Sequence, residues 1–154
     1  MQIEKMSNEE KRELEGIIQK NYGTKIKFRE VLLKTKKGKI WMFYEDFPEV
    51  WWKKLRINSV GLYLGKLKRN YKIKLSLEGA QIVGKYAEKN VIEVDEDELK
   101  RFLSGENIEK FYPVNAERNN FVLVKHKDDI VGVGILRDGY VENLLPKTRR
   151  IILE

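Results

Sequence analysis

Between Phe121 and Leu153 the chain is a succession of short strand-like runs broken by turn signals. The runs are 121–125, 130–136, 140–141 and 150–153, with Asp128-Asp129 and Asp138-Gly139 between them. Runs this short, rich in Val, Ile and Leu, specify β-strands joined by tight turns rather than helices. Just upstream, Val91-Ile-Glu-Val94 reads as another strand. Asp95 with Glu98 then echoes a capping box, and Leu99, Phe102 and Leu103 fall at i, i+3 and i+4. Gly105 stands where the glycine after a helix belongs.

The first half alternates helix and strand. Ser7 and Glu10 form a capping box, Leu14, Ile17 and Ile18 repeat at helical spacing, and Gly23 closes the helix. Ile26-Lys-Phe28 and Val31-Leu-Leu33 precede the glycine turn Lys36-Lys-Gly38 and the strand Ile40-Trp-Met-Phe-Tyr44, so a hairpin is expected. Val60–Leu67 reads as a strand that turns at Arg69-Asn70 and returns through Tyr71-Lys-Ile73. Ser76 caps a second helix expected to run to Tyr86 or Ala87, with Asn90 as its stop. Trp51 and Trp52, after Pro48, fit a short helix or turn covering the hairpin. Adjacent tryptophans can stack bases, but they more often pack a core.

Charge divides the chain near Asn90. Residues 1–90 carry 21 Lys/Arg against 11 Asp/Glu, whereas residues 91–154 carry 10 against 13, so the net charges are +10 and −3. From Lys53 to Lys74 there are eight basic residues and no acidic one. A one-signed stretch attracts phosphate; taken alone, it is more often the solvated face of a soluble protein. This shift sets the expected boundary between an N-terminal basic α/β domain, 1–89, and a C-terminal domain, 90–154. The 36% of charged residues, mostly Lys, Glu and Arg, is an enrichment seen in hyperthermophile proteins.

Absences narrow the chemistry. With no cysteine, the chain has no disulfide, thiolate zinc site or cysteine nucleophile. The lone histidine, His126, lies between two lysines and has no obvious catalytic partner. Gly132-x-Gly134 lies in a β run with no helix after it, so the dinucleotide-binding fingerprint fails. The acidic run Glu93–Glu98 is explained by the favourable field at a helix start, without a metal. No apolar run approaches the roughly 20 residues that span a bilayer. The expectation is a cytoplasmic protein with no catalytic site, cofactor, metal or membrane partner.

A strand, a capped helix ending in Leu-x-Gly, then several Val- and Gly-rich strands is how the PUA domain is built. The order Gly61-Leu-Tyr-Leu-Gly65, Val91–Val94, Phe102-Leu-Ser-Gly105, Phe121-Val-Leu-Val124, Ile130-Val-Gly132 and Asn143-Leu-Leu-Pro-Lys147 resembles the C-terminal PUA-like region of Fmu/RsmF-type rRNA cytosine-5 methyltransferases. That family ends with Gly-x-Leu-Lys-Asn-x-x-Pro-Lys-x-x-Arg, and small archaeal proteins grouped with ribosome biogenesis carry the region alone. The resemblance covers roughly Val60 to Glu154. It implies an α+β chain, with a small N-terminal α/β, pre-PUA-like domain before a PUA-like β pseudo-barrel.

Two departures stand out. Glu142 occupies the position of the tail lysine, and Gly132-Val133-Gly134-Ile135 replaces Gly-Trp-Gly-Lys. Together with the acidic C-terminal part, they shift the expected positive surface to the preceding domain and the tail. The methyltransferase reaction itself needs a cysteine nucleophile, which is absent.

The implied function is non-catalytic binding of structured RNA, rRNA or tRNA, in ribosome biogenesis or RNA modification. Lys147, Arg149 and Arg150 follow the extended Pro146 and suit phosphate contacts. Asn143 suits a base edge or 2′-hydroxyl. The resemblance puts Leu103, Ser104 and Gly105 beside the RNA, with Lys66, Lys68, Arg69 and Lys72 extending the positive path. The rival reading is an adaptor that docks a methyltransferase or ribosomal protein through Trp41, Trp51 and Trp52 or the acidic face. Exposed tryptophans favour the adaptor. Buried ones, with the lysines and Arg149 on one face, favour RNA.

Overall fold

The computed structural model describes residues 3–43 and 61–152. The tryptophan pair Trp51 and Trp52, and the basic residues Lys53, Lys54 and Arg56, lie outside them.

Helix α1 (Asn8–Tyr22) starts where its capping box places it. Ser7 Oγ accepts from the Glu10 N–H, and Glu10 Oε1 accepts from the Ser7 N–H, both at 3.1 Å. It ends at Gly23, whose φ of 69° is left-handed and whose N–H bonds Gln19 O at 2.8 Å. Leu14, Ile18 and Tyr22, four residues apart, form its buried face. That face packs on an antiparallel sheet of order β1-β2-β3-β4-β5, comprising β1 (Ile3–Lys5), β2 (Val31–Thr35), β3 (Lys39–Phe43), β4 (Leu62–Lys68) and β5 (Lys72–Leu75). The β2–β3 and β4–β5 hairpins are the expected ones. Strand β1 was not expected, because three residues give no readable alternation; pairing with β2 makes it a strand. Ile26–Phe28 forms no strand.

Alternation separates the two faces of this sheet. Leu32, Ile40, Met42, Leu64, Ile73 and Leu75 join α1 in the core, while Leu33, Trp41 and Phe43 form a smaller cluster on the reverse face. A bulge between Ile40 and Trp41, opposite Leu64, restores the phase, so that Leu67 returns to the core side.

Helix α2 (Leu77–Gly84) is capped by Ser76, which accepts from the Gly79 N–H at 2.9 Å. It stops three residues before Ala87, the expected limit. Glu88 and Lys89 instead give their N–H groups to Tyr22 O, at 2.8 and 3.1 Å, which pulls the chain toward the end of α1. Glycine at 84 is required, since a Cβ there would stand 2.6 Å from Ile130 Cγ1. Glycine is also a poor helix former, so the helix is weakest where it stops.

The second sheet has order β10-β9-β8-β6-β7, with β6 (Val91–Glu93), β7 (Tyr112–Val114), β8 (Phe121–His126), β9 (Asp129–Leu136) and β10 (Val141–Asn143). Its β6–β8 pair is parallel and the others are antiparallel. Helix α3 (Glu96–Leu103) lies between β6 and β7, with Phe102 buried in a second core beside Ile92, Ile108, Val122, Val124 and Val141. Strand β7 was missed, because Pro113 in its centre argues against a strand; as an edge strand it tolerates the missing donor.

A 3₁₀ turn, Lys147–Arg149, in which the Arg149 N–H bonds Pro146 O at 2.9 Å, precedes the expected last strand. Its described residues, 150–152, form no strand; the Arg150 N–H bonds Lys147 O at 3.3 Å and the Ile151 N–H bonds Leu103 O at 2.8 Å. Pro146 fixes φ at −59°, a value suited to entering such a turn.

Leu123, Ile130 and Val133 of the second sheet sit in the same core as α1, α2 and the first sheet. The whole is an α+β molecule whose two sheets meet across α2.

Candidate nucleic-acid interface

Three lysines fall in one row. Lys66 is directly opposite Lys39 on one side and Lys74 on the other, and two residues along β4 Lys68 is opposite Lys72. Directly opposed residues share a face, and like charges placed so are destabilising. The pleat puts all five opposite Leu67, Ile73 and Leu75, away from the core.

This lysine face forms one wall of a groove of about 540 Å³. Lys39, Lys66, Lys68 and Lys74 line it with Tyr63. The other wall is the start of α2 at Ser76, Leu77 and Glu78, then Gly132 and Val133 of β9 and the segment Leu144–Pro146 with Arg149. On that wall Arg149 forms an ion pair with Glu78. Among the described residues no carboxylate pairs with the four lysines. Tyr63 packs on the buried Trp41, with ring centroids 5.1 Å apart. Burial pushes the Tyr63 hydroxyl above the ordinary phenol range, so at neutral pH it keeps its proton and can donate.

The expected residues divide into three groups. Lys66, Lys68 and Arg149 line the groove together. Arg69 and Lys72 belong to the adjoining hairpin end, where Lys72 Nζ donates to Asn119 O at 3.1 Å. Lys147 is exposed on the 3₁₀ turn.

The remaining residues are bound into the fold. Asn143 donates to Phe102 O at 2.8 Å and Glu106 O at 2.7 Å, and its Oδ1 accepts from the Leu145 N–H at 2.7 Å. It thereby ties β10 to the end of α3. Ser104 Oγ donates to Arg101 O at 2.8 Å. Gly105, with φ at 104°, lies under Arg150, and a Cβ there would be 2.9 Å from Arg150 Cδ. Arg150 in turn donates from Nε to Leu145 O at 3.1 Å. Leu103 instead lines a second, smaller hollow with Lys85, Asp128 and Asp129.

Sequence reading missed Lys39, Tyr63 and Glu78 in the groove. The repeats Lys66-x-Lys68 and Lys72-x-Lys74 carried the signal for a lysine face, but Lys39 joins it only through the β3–β4 register.

Elsewhere the acidic run behaves as a helix start. Asp95 accepts from the Glu98 N–H at 2.9 Å, and Glu96 lies 3.9 Å from Lys100. His126 Nδ1 is 3.0 Å from Val94 O. Among the described residues no three His, Asp or Glu side chains gather so as to hold a metal ion. No described helix is long and apolar enough to cross a membrane.

Residues 89–151 match the family described as the methyltransferase RsmF PUA domain. The C-terminal part of this chain is PUA-like in fold. Two solved structures share the fold over nearly the whole chain. One is a conserved PUA domain protein from Thermoplasma acidophilum, 13% identical, covering 96% of this chain and 97% of that one at a TM-score of 0.61. The other is a PUA domain from Aeropyrum pernix K1, solved as a tartrate complex. It is 15% identical and covers 94% and 85% of the two chains at a TM-score of 0.56. Comparison with curated proteins finds no match. The PUA-like region and the sheet that precedes it thus form a combination with counterparts of similar length.

Proposed function

We propose that this protein binds structured RNA, rRNA or tRNA, in ribosome biogenesis or RNA modification, and does so without a reaction of its own. The PUA domain is generally an RNA-binding module, and the residues here match the one carried by an rRNA methyltransferase. The observation that carries the reading is the row Lys39–Lys66–Lys74, continued by Lys68 and paired with no carboxylate among the described residues, along a groove that ends at the PUA-like region. Opposed lysines are a cost that an incoming polyanion removes. Each phosphate bound releases condensed counterions, which makes binding favourable and salt-sensitive. Arg149, on the opposite wall, becomes a further phosphate ligand once it leaves Glu78. Buried Trp41 supports this reading over the adaptor, since it backs Tyr63 rather than presenting a docking surface. We place the protein in the cytoplasm, where a methyltransferase or ribosomal protein acts on the same RNA.

The test is titration of a labelled RNA stem with a single-stranded end, and of matched duplex DNA, across salt concentrations. Tighter binding to RNA is expected, with log K falling against log salt at a slope of roughly −3 to −4 for four phosphates. Equal weak binding to both nucleic acids, or none, overturns the proposal.

A further inference from the structure

Asn70 and Tyr71, at the tip of the β4–β5 hairpin, both adopt left-handed backbone conformations, with φ of 64° and 57°. Asparagine tolerates this region and glycine is at ease in it, which is why Asn-Gly is the ordinary choice for a tight hairpin. Here a tyrosine stands where the glycine would be, at a steric cost. Nothing in the core repays that cost, because Tyr71 is 70% exposed. Strain in a well-held segment, without a packing reason, points to use of the side chain.

The tip is held on both sides. Buried Asn21 of α1 donates to Tyr71 O at 2.8 Å, and Lys72 Nζ donates to Asn119 O at 3.1 Å. The backbone that carries the ring is therefore held in place. Lys20 Nζ lies 5.6 Å from the ring centroid, and Arg69 is exposed beside it. The tip adjoins the groove along the hairpin. Lys68 lines the groove and opposes Lys72, the residue after Tyr71. At about 3.4 Å per residue the lysines of β4 repeat every 7 Å or so toward the tip. Tyr71 itself lies on the α1 side of the hairpin, beside Lys20. Tyr86 and Tyr112 are equally exposed, but neither has a left-handed backbone or belongs to the lysine hairpin.

Resting on the RNA-binding reading, we propose that Tyr71 is a stacking platform for an unpaired RNA base, at the tip of the hairpin whose lysines line the groove. Every base offers a π-face, so the site is tolerant of sequence, and Lys20 and Arg69 supply charge for the neighbouring phosphates.

Tyr71→Gly separates this role from a structural one. Glycine relieves the left-handed strain, so the melting temperature should equal or exceed that of the wild type. Binding to a stem with a short oligouridine overhang should weaken about tenfold, within the range for one stacked base. Binding to the blunt stem should change less than twofold. Replacing the overhang with abasic ribose should cost the wild type a similar factor and cost Tyr71→Gly little more. Tyr71→Trp should retain tight binding. Wild-type binding that Tyr71→Gly leaves unchanged, or weakens equally on blunt and overhung stems, overturns the stacking site alone. Failure of the wild type to bind any RNA overturns the groove reading together with it.

Discussion

Asn143 is where a residue's chemistry and its placement part company. The tail motif makes it a candidate for reading a base, since its amide both donates and accepts. The fold engages both ends of that amide, with three hydrogen bonds of 2.7–2.8 Å that fasten β10 and Leu145 to the exit of α3. Asn143→Ala leaves Phe102 O, Glu106 O and the Leu145 N–H without this partner. A loss of about 1–3 kcal/mol in stability is expected by denaturant titration, with the RNA affinity of the folded protein unchanged. Lost affinity at full stability would instead make Asn143 a ligand for RNA. The tail glycines were legible only as turn or strand residues. Their requirement is a matter of contact across the core: a Cβ at Gly132 would lie 2.5 Å from the Phe102 ring, and one at Gly134 2.5 Å from Val141 Cγ1. No local pattern encodes such contacts.

Strands show the same limit on a larger scale. The hairpins, capped helices and Val-rich runs were readable because turn chemistry and periodicity are local. Strands β1 and β7, three residues each, depend on partners distant in sequence. The lysine row was half legible, since the basic run was visible while the register that opposes Lys39, Lys66 and Lys74 was not. That register gives an experiment with two opposed readouts. Lys66→Glu turns two repulsive pairs into attractive ones, so the melting temperature should rise, with a gain of about 0.5–1 kcal/mol. RNA affinity should fall, because a phosphate site becomes a carboxylate. Glu78→Gln acts from the opposite wall. It frees Arg149 without removing any cation, and should tighten RNA binding, most clearly at low salt where exposed ion pairs count. A stability gain from Lys66→Glu without loss of RNA binding would remove the lysine row from the interface.

At the scale of the whole molecule, the shift of charge near Asn90 does not coincide with a break in the core. Leu123, Ile130 and Val133 pack with α1, α2 and the first sheet, and Asn90 is the polar joint beneath them. It is almost fully buried with a left-handed φ of 54°. Its Nδ2 donates to Asn21 O at 2.6 Å, its Oδ1 accepts from the Glu117 N–H at 2.9 Å, and its backbone pairs with Asn115 and Leu123. Asn21 in turn holds the Tyr71 carbonyl, so one chain of amides runs from the PUA-like region to the hairpin tip. Such a joint should make the chain unfold as a unit, with one calorimetric transition rather than two. Asn90→Ala leaves buried groups unpaired and forces a Cβ residue without side-chain help into the left-handed region, for a loss of about 2–4 kcal/mol. Asn90→Gly removes the same hydrogen bonds but keeps the backbone at ease. The difference between the two variants, expected at about 1 kcal/mol, isolates the backbone contribution. If either variant splits the transition in two, the amide joint rather than the shared apolar core is what couples the halves; if both keep one transition at a lower temperature, the core itself carries the coupling.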